Sequence, residues 1–156
     1  MVQKILIAFD ESVNAMRAVE FVASAFTTDK KITLFSVTPD TEALCDMNSP
    51  SLIPYFMEQK GTFCTLEEKK KDLLKEAQQK AKQILLDAGF NGQNIKTKVQ
   101  TKERGIARDI IKEAGDEYDV IVIGRRGLSG IKEFFMGSIS QKVLNLASSI
   151  SILIVD

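Results

Sequence analysis

Five short segments of strand character alternate along the chain with longer segments of helical periodicity. The strand segments are residues 4–9, 32–37, 95–101, 120–123 and 150–155, and the helical segments are residues 13–26, 67–88, 106–114 and 138–147. A strand, a crossover helix and a second strand form a parallel pair with a right-handed connection. The repeated alternation therefore predicts an α/β fold, an open five-stranded parallel sheet with helices on both faces.

Three residues stand where predicted strands end. Asp10 follows the first strand, Val37 ends the second and Gly124 follows the fourth. Ligands of open parallel sheets bind outside the carboxyl ends of the strands, where the strand order reverses. The three positions are therefore candidates for one shared crevice.

A glycine-rich loop separates the buried fourth strand from the last helix. Its glycines are Gly124, Gly127, Gly130 and Gly137, and Ser138 begins the helical pattern. Glycines let backbone N–H groups approach a polyanion closely, and a helix start adds unpaired N–H groups. Turn glycines alone are weak evidence, but their density between a strand and a helix favours a phosphate-binding loop.

The polar side chains around this loop leave alternatives open. Ser138 and Ser140 would either cap the helix or donate hydroxyl protons to phosphate oxygens. Arg125 and Arg126 would be solvated charges, unless one of them neutralises a polyanion. Asp10 would cap the next helix, as Ser12 also could, or accept from a ribose hydroxyl or a base amine. The pair Phe134 and Phe135, with Met136, favours packing over base stacking.

Composition excludes several classes of function. Lysine plus arginine equals aspartate plus glutamate at 21 each, which argues against nucleic-acid or membrane-surface binding. No apolar run spans a bilayer and no signal peptide is recognisable, so we expect a cytoplasmic protein. The absence of histidine removes Ser-His-Asp and Cys-His catalysis. Cys45 and Cys64 are expected to be buried or half-buried thiols, since nothing else suggests an oxidising compartment.

The stretch of residues 38–66 departs from the alternation. It holds all three prolines and both cysteines, and we predict one short helical turn around residues 55–57. It is interpreted either as a mobile cover over the crevice or as a packed surface excursion. In the helix that follows, a buried stripe is predicted to contain Leu66, Leu73, Leu74, Ala77, Ala81, Ile84 and Leu85. Lysines 69–71 are interpreted as its solvated face, because acidic residues interleave them.

The spacing Gly124-x2-Gly127-x9-Gly137-Ser138 resembles the ATP-binding signature of universal stress proteins. The opening KILIAFDES and the closing ISILIVD resemble the first and last strands of that family, so the resemblance covers the whole chain. It implies one domain over residues 1–156, Rossmann-like and similar to adenine nucleotide alpha hydrolases, with residues 39–66 as a candidate lid. It also implies a homodimer paired through the last strand.

The resemblance implies binding of ATP, ADP or AMP. The expected nucleotide-binding residues are Ala8, Asp10, Val37, Gly124, Arg126, Gly127, Gly130, Gly137, Ser138, Ile139 and Ser140, with Asp10 also the candidate ligand of Mg²⁺. Asp10 and Val37 would contact the adenosine end, and the glycine loop would hold the phosphates.

Three functional hypotheses remain at this point. The first is a regulatory stress-response module whose nucleotide occupancy is read by an unknown protein partner. The second is a slow ATPase in which Asp10 holds Mg²⁺ and Arg126 stabilises charge, although no residue pattern identifies a catalytic base. The third is a dimeric interaction protein without nucleotide turnover.

Overall fold

The computed structural model describes residues 3–46, 54–127 and 136–156, and within them five parallel strands form one open sheet. The strands are β1 (Lys4–Ala8), β2 (Lys31–Thr38), β3 (Ile95–Thr101), β4 (Val120–Gly124) and β5 (Ser151–Val155). Their order is β3-β2-β1-β4-β5, and every neighbouring pair is parallel. The predicted fold class is confirmed.

The helices of the described residues lie between these strands. They are α1 (Val13–Ala25), α2 (Glu42–Cys45), α3 (Pro54–Asp87), α4 (Ile106–Ala114) and α5 (Ser138–Leu146), with a short 3-10 turn at Gly92–Asn94. None of these helices has both the length and the apolar character needed to cross a membrane.

Helices cover both faces of the sheet because side chains of a strand alternate between its faces. Ile5 and Ile7 belong to one buried cluster, which includes apolar residues of α1 and α3. Leu6 and Ala8 belong to a second cluster, built with α4 and α5. The central strand β1 is therefore buried on both sides, as an apolar run in a parallel sheet requires.

The long helix α3 begins much earlier than predicted. It starts at Pro54 rather than near residue 67, so the turn predicted at residues 55–57 is the beginning of a continuous helix of 34 residues. Proline is tolerated in the first turn of a helix, where its missing N–H is not needed. Gly61 and the β-branched Thr62 and Thr65 have low helix propensity, so the sequence did not predict a helix in this part of the chain.

The two cysteines are paired rather than free. Cys45 at the end of α2 forms a disulfide with Cys64 of α3, so the expectation of two thiols is wrong. The two residues are close because α2 packs against α3. Their wide spacing in the sequence gave no sign of this proximity.

The buried face of α3 differs in part from the predicted stripe. Leu74, Ala81 and Leu85 are buried, whereas Leu66 and Leu73 are 53% and 54% exposed. Gln78 is buried as well, and its Nε2 donates to Ser36 Oγ of β2 at 3.1 Å. The helix is therefore turned so that a polar residue meets a polar partner on the sheet, which a purely apolar stripe does not predict.

Candidate functional site

A cleft of about 340 Å³ opens at the carboxyl ends of the strands. It lies where β1 and β4 meet, which is the point at which the strand order reverses. Ten of the eleven residues expected to bind nucleotide line it, namely Ala8, Asp10, Val37, Gly124, Arg126, Gly127, Gly137, Ser138, Ile139 and Ser140. Gly130 lies outside the described residues, and the structure thus brings together all the expected positions that it describes.

One side of the cleft, called the glycine wall here, consists of Gly124, Gly127, Gly137 and the first turn of α5. A Cβ atom at Gly137 would lie 3.2 Å from Arg125 O and from Arg126 Cα. One at Gly124 would lie 2.9 Å from Asn14 Cβ in α1. Real Cβ atoms essentially never lie 2.9 Å from another heavy atom and rarely lie as close as 3.2 Å, so glycine at these two positions permits the close packing of the wall.

The helix α5 points its N-terminus into this wall. Gly137 is its N-cap residue and no side chain caps the helix, so the interpretation of Ser138 and Ser140 as N-caps is wrong. The first N–H groups of a helix have no acceptor within it and carry the positive end of the dipole. The amides at residues 138–140 therefore form a place for an anion.

The two serines of α5 differ in their surroundings. Ser140 is buried, and its hydroxyl donates to Gly124 O at 2.7 Å, which ties the helix to the end of β4. Ser138 is exposed and lines the cleft. Only Ser138 therefore presents a hydroxyl that is not already donating to the backbone of the wall.

Asp10 links α1 to the glycine wall. Its Oδ1 accepts from the amide of Ser12 at 2.8 Å, and Ser12, rather than Asp10, caps α1 by accepting from the amide of Ala15. Its Oδ2 would lie 3.3 Å from a Cβ atom at Gly127. One carboxylate oxygen is thus structural, while the other lies beside the loop.

The two arginines after β4 have different environments. Arg125 forms an ion pair with Asp156 at 2.8 Å, and its amide donates to Val155 O of β5. Arg126 lines the cleft, and its buried Nε has no hydrogen-bond partner among the described residues. A buried donor without a partner costs free energy, which an anionic ligand would recover.

The opposite side of the cleft, called the helical wall here, comes from Glu67, Lys70, Lys71 and Leu74 of α3. Lys70 Nζ lies 3.3 Å from Glu67 Oε1, and Glu67 is only 8% exposed. The sequence interpretation assigned lysines 69–71 to solvent. They are exposed, but two of them also border the cleft, and an ordinary i,i+3 charge pair gave no signal of that position.

Apolar residues form the floor between the two walls. They come from the strands and from α4 and α5, and include Phe35, Val37, Ile106, Ile110, Ile123 and Ile139. Ile106 is 37% exposed and borders this opening. An apolar floor with charged groups at its two sides suits a ligand that has a flat apolar part and an anionic part.

Two expectations receive no test from the structure. Phe134 and Phe135, predicted to pack, lie outside the described residues.

Within the described ranges there is no cluster of three or more histidine, cysteine, aspartate or glutamate side chains. Mg²⁺ often uses only one or two carboxylates together with substrate phosphates, so Asp10 stays a predicted magnesium ligand.

The reversal of strand order at the cleft defines a doubly wound α/β protein of the Rossmann-like type. A sequence model of the universal stress protein family matches residues 1–156, and the chain belongs to that family. No curated protein sequence matches it significantly.

Solved structures of similar fold cover nearly the whole chain. The hypothetical protein MJ0577, the subject of a structure-based assignment of biochemical function, is 25% identical with a TM-score of 0.73, over 99% of this chain and 96% of that one. Universal stress protein UspA from Lactobacillus plantarum is 21% identical with a TM-score of 0.69, over 99% and 97%. A universal stress protein solved in complex with cAMP is 17% identical with a TM-score of 0.61, over 98% and 95%.

Proposed function

We propose that the cleft binds an adenine nucleotide, with its phosphates on the glycine wall and its adenosine end towards Val37. The protein would then act as a stress-response module whose nucleotide occupancy is read by another protein. The observation that carries this proposal is the meeting of Gly124, Gly127, Gly137 and the start of α5 in one cleft at the switch point of the sheet.

The chemistry of the glycine wall suits a polyphosphate. Amides at a helix start and at glycines bind anions without needing a cationic side chain. Arg126 adds a charged donor whose Nε is buried and lacks a partner among the described residues. The relative solved with cAMP, an adenine nucleotide, supports this choice of ligand class.

Asp10 is the residue that we propose for the metal. Its Oδ1 is engaged by the amide of Ser12, so Oδ2, beside Gly127, is the oxygen left for Mg²⁺. Bound Mg²⁺ would neutralise phosphate charge. Binding, rather than turnover, is the function that we propose, because no residue pattern identifies a catalytic base.

We also propose a homodimer that pairs β5 with β5 of a second copy. β5 is an edge strand of the sheet, and Ile152, Leu153 and Ile154 are only half-buried in a single chain. A flat apolar edge strand normally needs cover. The amide of Arg125 donates to Val155 O, which connects this edge directly to the glycine wall.

The test is to denature the purified protein, identify any released nucleotide by chromatography and mass, and titrate the stripped protein with ATP and Mg²⁺ by calorimetry. We expect ATP, ADP or AMP, at a stoichiometry near one per chain. If no nucleotide is released and ATP does not bind, the proposed nucleotide site is wrong, and the third hypothesis, an interaction protein, takes its place.

A further inference from the structure

The helical wall places a buried carboxylate at the cleft. Glu67 is 8% exposed, whereas its neighbours Leu66 and Glu68 are exposed. Glutamate is rarely buried to this extent without partners, because the charge loses its hydration. Lys70 contacts Oε1 at 3.3 Å, whereas Oε2 accepts no hydrogen bond from the described residues and keeps some contact with solvent. The carboxylate is therefore only partly satisfied by the protein.

The position of α3 shows which end of the cleft Glu67 faces. The hydrogen bond from Gln78 to Ser36 places α3 beside β2, whereas the glycine wall follows β4. Because α3 runs back along the sheet, its earlier residues pass the carboxyl end of β2 and reach the cleft. Glu67 lines that cleft together with Thr38 and Pro39, which directly follow Val37.

We infer that Glu67 determines base specificity by accepting a hydrogen bond from the exocyclic amino group of adenine. This inference rests on the proposed function, which puts the phosphates on the glycine wall and the base at the β2 end. An ionised carboxylate only accepts hydrogen bonds. Hypoxanthine has a carbonyl oxygen where adenine has its amino group, so it would present lone pairs to Glu67 and be rejected.

Lys70 acts as a positioning residue in this arrangement. Its ammonium group lies 3.3 Å from one carboxylate oxygen of Glu67, and its side chain is 62% exposed where it borders the cleft. The other oxygen is left for the base. Sites built to pair with a polar ligand group reject analogues that lack it, because their own polar groups are then left unpaired.

The experiment compares ATP with ITP, whose base is hypoxanthine, by calorimetry on the full chain. We expect the wild-type protein to bind ATP about tenfold more tightly, the effect of one hydrogen bond to a charged group. In Glu67→Gln the ratio of the affinities for ATP and ITP should fall towards one. The amide of glutamine can accept a hydrogen bond from the amino group of adenine and can donate one to the carbonyl oxygen of hypoxanthine. Glu68→Gln is the matched control: it removes an adjacent exposed charge that does not line the cleft, and it should keep the wild-type ratio.

The outcomes separate this inference from the proposed function. If the wild-type protein binds no nucleotide, both are wrong. If ATP binds but Glu67→Gln keeps the wild-type ratio, or weakens ATP and ITP equally, the base is not read by Glu67 and only the inference is overturned. Should the glutamine variant not fold, Glu67→Asp keeps the charge, withdraws it by one methylene, and must show the same loss of discrimination.

Discussion

The two walls of the cleft are built from opposite kinds of sequence. The glycine wall uses backbone groups from one short stretch, held by hydrogen bonds such as that from the amide of Gly137 to Arg125 O at 2.8 Å. The helical wall uses side chains of α3, which are brought to the cleft by the packing of a 34-residue helix. One wall is local and the other depends on the tertiary fold.

This contrast explains why only one wall was recognisable in the sequence. A backbone anion site needs glycine at close approaches, and Gly124 and Gly137 mark that need directly. A charged helix looks the same whether it borders solvent or a ligand. The comparison also predicts different sensitivities, since the glycine wall should control phosphate affinity and the helical wall should control the choice of base.

The largest expected effect comes from Gly137→Val. The new side chain would begin 3.2 Å from the backbone of Arg125 and Arg126, so this backbone would have to shift and the proposed phosphate site would be lost. We expect ATP binding to disappear in calorimetry while far-UV circular dichroism changes little. The control is Gly61→Val in α3, where a Cβ atom meets nothing within 4 Å. Retained ATP affinity in Gly137→Val would show that the glycine wall is not the phosphate site.

Loss of the disulfide should affect stability more than phosphate binding. The bond closes a loop with a sequence separation of 19, and the chain-entropy relation gives about 3 kcal/mol for a loop of this size. Urea unfolding of the Cys45→Ser, Cys64→Ser double variant should show this loss. ATP affinity should persist, because hydrogen bonds from β4 and β5 hold the glycine wall. Equal stability of the variant and the oxidised protein would contradict the pairing.

Arg126→Gln tests the charged donor of the glycine wall. Removing the guanidinium group that we propose to pair with phosphate should weaken ATP binding about tenfold, and should weaken AMP binding less because AMP carries less charge. Calorimetry with both nucleotides measures the difference. Arg108→Gln removes an exposed arginine of α4 that does not line the cleft, and it should leave both affinities unchanged. If both variants weakened nucleotide binding equally, Arg126 would contribute only through the net charge of the protein and not through direct contact with phosphate.

The smallest expected effect concerns Ser140. Ser140→Ala leaves Gly124 O without the hydroxyl donor that now lies 2.7 Å away, at a cost of about 1 kcal/mol in the free energy of unfolding. Ser138→Ala, at an exposed position, should change that free energy by less than about 0.5 kcal/mol. Thermal unfolding of both variants checks that Ser140→Ala loses more stability than Ser138→Ala. A larger loss in Ser138→Ala would contradict the structural role of Ser140.

The fold was largely predictable because the strands are short apolar runs that can be recognised in the sequence. The β-branched run at residues 120–123 is buried in β4, and β3 spans Ile95–Thr101, the range predicted for the third strand. The beginning of α3 was not predictable, since Gly61 and Thr62 reduce local helix propensity while tertiary contacts sustain the helix. The partnership of Cys45 and Cys64 likewise depends on the packing of α2 against α3.

The part of the candidate site that is formed by backbone groups was predictable from the sequence. Gly127 and Gly137 follow from the need for close approach, whereas Glu67 carries no mark of its position in the sequence. Even Ser140, which was expected to bind nucleotide and does line the cleft, donates its hydroxyl to Gly124 O. A side chain's hydrogen-bond partner is fixed by residues distant in the chain, so its role follows only from the fold.

The most direct test of the central claim is a titration of isotope-labelled protein with ATP and Mg²⁺, followed through backbone amide resonances in NMR. We predict that the largest chemical-shift changes occur at Gly127, Gly137 and residues 138–140, with saturation at one nucleotide per chain. Saturable binding that leaves these amides unperturbed would contradict it and place the nucleotide elsewhere.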